Sequence, residues 1–166
     1  MFELVQPRVE LFEAWNEAHR EWGAGLHEDG FGIGADDVVD TLDGFRSWIG
    51  RIQDDPVARW WIVEDGRVLG GIALRSGDDE RVRRSGHIGY GVRPSARGRG
   101  VASWALSEVV RHAAAAGIDP VVAFCLDDNP GSIATLERCG ATLESIEQHG
   151  ALRVRRYAFR RGSAGS

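Results

Sequence analysis

The sequence contains no lysine: all 20 basic residues are arginine, set against 25 acids in a chain of 166 residues. That absence excludes a Walker-type phosphate loop, whose last glycine is followed by a lysine. The two cysteines, Cys125 and Cys139, have neither metal-ligand spacing nor a disulfide-rich context, and nothing else suggests a metal. No apolar run approaches the roughly 18 residues of a membrane span, and Met1-Phe2-Glu3 opens nothing like a secretory leader. A net charge of −5 argues against wholesale binding to nucleic acid or anionic membrane. Tyrosine is scarce as well: Tyr90 and Tyr157 are the only two phenols, which narrows the choice of proton donors.

The remaining composition, 43% hydrophobic and 27% charged, is that of a soluble globular protein of the cytoplasmic type. The length suits one domain, read here as residues 1–161 followed by a polar tail at 162–166, expected to be flexible. A homodimer is left open.

The stretch from His87 to Gly140 organises the chain. It reads as a strand, a basic glycine turn, a long helix, an apolar strand at 120–126, and a short helix opened by Asn129-Pro130-Gly131-Ser132. The turn, Val92 to Ala102, is an anion cradle in chemical terms. Gly98 and Gly100 let the backbone approach a ligand, a new helix offers its unpaired N–H groups, and Arg93, Arg97 and Arg99 add charge. A dinucleotide fingerprint does not fit, because Gly98-Arg99-Gly100-Val101-Ala102-Ser103 ends in serine rather than a third glycine. An ordinary basic turn is the plain alternative.

Arg97-x-x-Gly100-x-Ala102 resembles the acyl-CoA pyrophosphate signature of the GNAT superfamily of N-acetyltransferases. Asn129-x-x-Ser132, followed by Glu137-Arg138-Cys139-Gly140, is similar to that family's second cofactor-side segment. The likeness covers roughly residues 58–160. It implies an α/β (α+β) GNAT fold: a mixed, mostly antiparallel sheet of about six or seven strands, splayed between its two central strands, with about four helices. It also implies acetyl-CoA as cosubstrate, held by Val92, Arg97, Gly98, Arg99, Gly100, Val101, Ala102, Asn129 and Ser132.

Upstream, Phe2 to Val5 reads as a short strand, and a helix starting at Pro7 carries Val9, Leu11, Phe12, Trp15, Ala18, His19 and Trp22 on its apolar stripe. Residues 23–34 hold five glycines in twelve, a segment that suits motion or close approach. There His27, Glu28 and Asp29 are candidate acceptor contacts, because the resemblance sets the link between the first two helices on the acceptor side. Asp36 or Asp37 is expected to cap a second helix. Asp65-Gly66 marks a hairpin between two apolar strands, His149-Gly150 another, and Ser76 to Ser85 a charged hairpin tip.

Acetyl transfer to an amine sets further demands. An alkylammonium with a pKa of roughly 10 must lose its proton, and the thioester oxygen needs a donor as charge develops. By resemblance that donor is the Val92 amide or its neighbour. Relatives often carry a tyrosine acid at the position occupied by Leu136, which cannot donate. Tyr90 on the cradle strand is the replacement considered, and His87 is the candidate base; simple packing roles remain open for both. Acids around residues 28–40 point to a small cationic amine as acceptor. A protein N-terminus and a non-catalytic acyl-CoA sensor are the alternatives.

Overall fold

The structure is a computed structural model that describes residues 1–25, 27 and 29–161. Glu28 and the tail at 162–166 lie outside the described residues. The strands are β1 (Glu3–Val5), β2 (Ala58–Glu64), β3 (Arg67–Leu74), β4 (Ile88–Val92), β5 (Val121–Leu126), β6 (Thr142–His149) and β7 (Leu152–Phe159). The helices are α1 (Phe12–Trp22), α2 (Leu42–Asp54), α3 (Glu80–Ser85), α4 (Val101–Ala115) and α5 (Pro130–Arg138). The sheet has seven strands in the order β1-β2-β3-β4-β5-β7-β6, mixed and mostly antiparallel as expected. Contacts divide the chain into two units, Met1–Ala73 with Tyr90–Val101, and Leu74–Gly89 with Ala102–Ser166.

The first unit is built on aromatic residues. Trp15, Phe31, Phe45, Trp48 and Trp61 are buried together, with Val39, Ile49, Ile52 and Val68 around them. Trp15 lies at the middle, with ring centroids 4.8 Å from Trp48, 5.3 Å from Phe31 and 5.4 Å from Phe45. Each such ring removes some 150–250 Å² from water, so this cluster dominates the unit's stability. β1 joins β2 in antiparallel register, Leu4 opposite Ile62. The turn from β2 to β3 has Asp65 at φ +50° and Gly66 at φ +78°, two successive left-handed residues as an Asp-Gly hairpin requires.

One local expectation is corrected here. The cap of α2 is Thr41, whose hydroxyl accepts from Gly44 N–H at 3.2 Å; Asp37 instead accepts from Gly34 N–H and pairs with Arg51. Within the glycine-rich segment, Gly30 serves a close approach, whereas Gly23 and Gly25 have open space around a built Cβ. A Cβ on Gly30 would lie 2.3 Å from the Gly71 carbonyl oxygen, and Gly30 has φ +76°. Between them Phe31 drops into the aromatic core with no exposure. Gly30→Ala is therefore expected to cost about 3 kcal/mol, from left-handed strain plus overpacking against backbone. Urea denaturation checks this, and a loss under 1 kcal/mol would mean the contact is not needed.

In the second unit, β5 is the buried apolar strand that its composition announces. It pairs in parallel with β4 at Ile88↔Ala123 and antiparallel with β7 from Val121↔Phe159 to Leu126↔Val154. α4 turns Ala105, Leu106, Val109 and Ala113 inward and stops at Gly117, φ +85°. Residues 80–85 form a helix, not a hairpin tip. Asp79 caps it by accepting from Val82 N–H at 3.1 Å, Val82 is buried, and Gly86 ends it. This adds a fifth α-helix to the four or so expected. No helix among the described residues is long and apolar enough to cross a membrane.

Candidate active site

The cradle leaves β4 at Val92, crosses a single 3-10 turn at Pro94–Ala96, and enters α4 at Val101. Gly98 and Gly100 have φ +78° and +79°, and a Cβ on either would meet nothing within 4 Å. These glycines thus supply backbone conformation rather than relief from crowding. Residues 97–100 are exposed, and the N–H groups of Gly98, Arg99 and Gly100 have no partner among the described residues. Three exposed amides without a partner among the described residues, ahead of a helix N-terminus, are what an anionic group requires.

The three arginines divide. Arg93, only 3% exposed, is not a ligand-facing charge as its position in the sequence suggests. Its guanidinium donates to Glu17 at 2.9 Å, to Glu21 at 3.0 and 3.1 Å and to the Val68 carbonyl at 3.2 Å. Arg97 donates its Nε–H to the Val92 carbonyl at 2.9 Å. Arg99 is half exposed, pairs with Glu64 at 2.7 Å and lies over the Phe2 ring. The Val92 amide follows from alternation. Because Arg93 N–H donates to Leu69 of β3 at 2.7 Å, the neighbouring Val92 N–H is directed away from β3.

Tyr90 is half-buried on β4. His87, just before that strand, is 8% exposed, and its Nδ1 accepts from Val122 N–H at 2.9 Å. Burial holds its pKa below the ordinary value, Arg156 adds to this, and a bond to the Gly77 backbone opposes it. His87 is therefore a neutral imidazole whose Nδ1 lone pair is already engaged. Asn129 caps α5, its Oδ1 accepting from Ser132 N–H at 3.1 Å, so these two residues meet at one helix start. Leu136 is fully buried. Tyr157 is also fully buried, donating to Glu137 at 3.0 Å and accepting from Arg155.

His27 and Asp29 line one cleft of about 310 Å³ in the first unit, with His19, Ile33, Asp37 and Val39. His27 is exposed, whereas Asp29 is 4% exposed and its Oδ1 accepts from Phe31 N–H at 2.9 Å. Burial raises the Asp29 pKa, and the Phe31 amide pulls it back.

His19 is the residue that sequence reasoning assigned only to an apolar stripe. It stacks on Trp15 at 4.7 Å and 17°, and its buried Nδ1 has no partner among the described residues. Burial lowers its pKa, helped by His27 and opposed by Asp40. A histidine inside a helical stripe beside a glycine-rich segment was the available signal.

Comparison with known proteins fits this geometry. The Acetyltransferase (GNAT) domain profile matches residues 7–142. No curated protein matches. Among solved structures, the microcin C7 self-immunity acetyltransferase MccE, in complex with acetyl-CoA and AMP, superposes with a TM-score of 0.73 at 19% identity, covering 96% of this chain and 92% of its own. RimL, the ribosomal L7/L12 alpha-N-protein acetyltransferase, in complex with coenzyme A, gives 0.72 at 23% identity over 96% and 93%. The ribosomal-protein-S5-alanine acetyltransferase of Vibrio fischeri gives 0.75 at 12% identity over 99% and 96%. These three share the fold, and the family profile spans the chain from ahead of α1 to the first residue of β6, taking in the cradle and α5: the chain belongs to the GNAT family of acetyltransferases, enzymes that draw their acetyl group from acetyl-CoA.

Proposed function

We propose that this protein transfers acetyl from acetyl-CoA to a small cationic primary amine, by direct attack in a ternary complex. The observation that carries the reading is the run of amides at residues 98–100, ahead of α4, that have no partner among the described residues. In this reading they hold the diphosphate with Val101 and Ala102, while Arg97 and Arg99 supply charge. Asn129 and Ser132 form the second cofactor-side segment. The Val92 amide, directed away from β3, receives the negative charge that develops on the thioester oxygen. Holding donor and acceptor together is worth about 7–11 kcal/mol in favourable cases, so no covalent enzyme intermediate is required.

The acceptor ammonium must lose a proton, and the thiolate, with a thiol pKa of about 8.5, must leave. Tyr90 is assigned as the proton donor to sulfur, in place of the family tyrosine that Leu136 displaces. The base is an imidazole. His87 can accept a proton at Nδ1 only by giving up the Val122 amide. His19 lines the cleft, its Nδ1 is the buried nitrogen, and its Nε2 is therefore assigned the role. The neutral imidazole is the active form, so kcat rises with pH as His19 loses its proton. The inflection falls below the ordinary 6.5, because burial lowers the pKa. His19→Gln is expected to remove that limb from the pH–rate profile; a limb kept in His19→Gln and lost in His87→Gln transfers the role to His87.

Asp29 and Asp37 line the cleft, Asp37 already paired with Arg51, and this acidic lining is what supports a cationic acceptor. A peptide N-terminus is the second reading, supported by the protein substrates named for RimL and the S5-alanine enzyme. A panel of butylamine, spermidine, an aminoglycoside and short peptides, read by thiol release from acetyl-CoA, tests both. Preference for spermidine or the aminoglycoside is expected, and turnover confined to peptides establishes the second reading. Tight acetyl-CoA binding with no turnover on any acceptor would overturn both in favour of a sensor.

A further inference from the structure

A carboxylate within reach of a diphosphate cradle should be unfavourable, yet Glu21 in the last turn of α1 accepts hydrogen bonds with both its oxygens from the cradle's entrance. Its Oε2 accepts from Ser95 N–H at 2.7 Å, and its Oε1 accepts from the Ser95 hydroxyl at 2.7 Å and from Arg93 at 3.0 and 3.1 Å. Arg93 is in turn fixed to Val68 and Glu17, and its own N–H to Leu69. Downstream, Ala96 N–H donates to Arg93 and Arg97 N–H to Pro94, and there the backbone bonding stops until α4. The position of amides 98–100 is thus set by what holds residues 93–97, and Glu21 gathers more of that segment than any other side chain. The buried Arg93 cancels the carboxylate's charge, so the cradle keeps its positive character.

We propose that Glu21 is a positioning residue for the cofactor turn: through Ser95 and Arg93 it sets where the Gly98 and Gly100 amides stand. The inference rests on the acetyl-CoA reading of that turn. It concerns a carboxylate 74 residues away in sequence from the serine it holds, so no motif contains it.

The test uses the full chain. Glu21→Gln keeps an acceptor oxygen but sets an amide NH2 against Arg93, and is expected to raise the acetyl-CoA Kd about tenfold in calorimetry. The acceptor KM at saturating acetyl-CoA stays within twofold. Glu21→Asp, which restores the charge, recovers most of the affinity, and Ser95→Ala, which removes only the hydroxyl bond, loses about threefold. Amide exchange at Ser95 and Ala96 quickens in Glu21→Gln. A purely structural role would lower thermal stability and leave the acetyl-CoA Kd unchanged in folded Glu21→Gln, and that result overturns the proposal, as does unaltered exchange at Ser95. Gly100→Ala serves as a control for the turn, and wild-type protein that fails to bind acetyl-CoA would sink the functional reading, with the exchange result still judging whether Glu21 holds Ser95.

Discussion

Gly100→Glu is expected to abolish acetyl-CoA binding while the protein remains folded. The position has φ +79° and open space around a built Cβ, so the substitution carries left-handed strain of about 1–2 kcal/mol and no steric clash. A domain of this size tolerates that loss. The carboxylate, by contrast, enters a turn whose exposed amides have no partner among the described residues. One like-charge pair about 4 Å apart is worth roughly 4 kcal/mol at an effective dielectric near 20, so Kd should rise by at least about 100-fold. Gly100→Ala separates the two effects: it carries the same strain without charge, and a loss below about tenfold is expected. Calorimetry with acetyl-CoA, alongside circular dichroism of each variant, reads both. Wild-type affinity in folded Gly100→Glu would show that the diphosphate binds elsewhere.

What could be read from the sequence, and what could not, follows the reach of each interaction. The Asp65-Gly66 hairpin, the Gly117 stop and the Asn129 cap depend on neighbours within a few residues, and each appears where its local chemistry puts it. β5 was legible because an unbroken apolar run has few other uses. The cap of α2 is not legible in sequence, since several short polar side chains compete there and only the fold shows that Thr41 stands one residue ahead of the helix. α3 was missed because one and a half turns with a single buried residue, Val82, show no periodicity.

The site divides in the same manner. The glycine turn and its resemblance to a family signature lie in one short segment and were visible. Arg93 was counted among the cradle's charges because its partners are 72 and 76 positions away, and no local pattern announces a buried ion pair. His19 was placed on the correct face of its helix, but periodicity does not say that Trp15 lies under its ring or that Nδ1 finds no donor. Likewise the glycines at 30 and 71 serve one contact, and only the fold joins them.

Trp15→Ala should have the largest effect on stability of any single change in the first unit. The indole is fully buried and contacts Phe31, Phe45, Trp48 and Trp61 as well as His19, so truncation leaves a cavity bounded by rings that cannot collapse inward easily. Such substitutions cost about 3–5 kcal/mol, a large share of the 5–15 kcal/mol that holds a typical domain together. Trp15→Phe keeps most of the aromatic volume and removes a buried indole N–H that has no hydrogen-bond partner among the described residues, which offsets part of the lost packing. Its expected cost is therefore only about 1–2 kcal/mol. Urea denaturation followed by far-ultraviolet circular dichroism measures both, and a loss below 1 kcal/mol for Trp15→Ala would contradict its central place in the core. Trp15→Phe also changes the surface on which His19 stacks, so the same variant couples core to catalysis: the acidic limb of its pH–rate profile should move toward the ordinary imidazole value as water reaches the ring, because burial is what depresses that pKa.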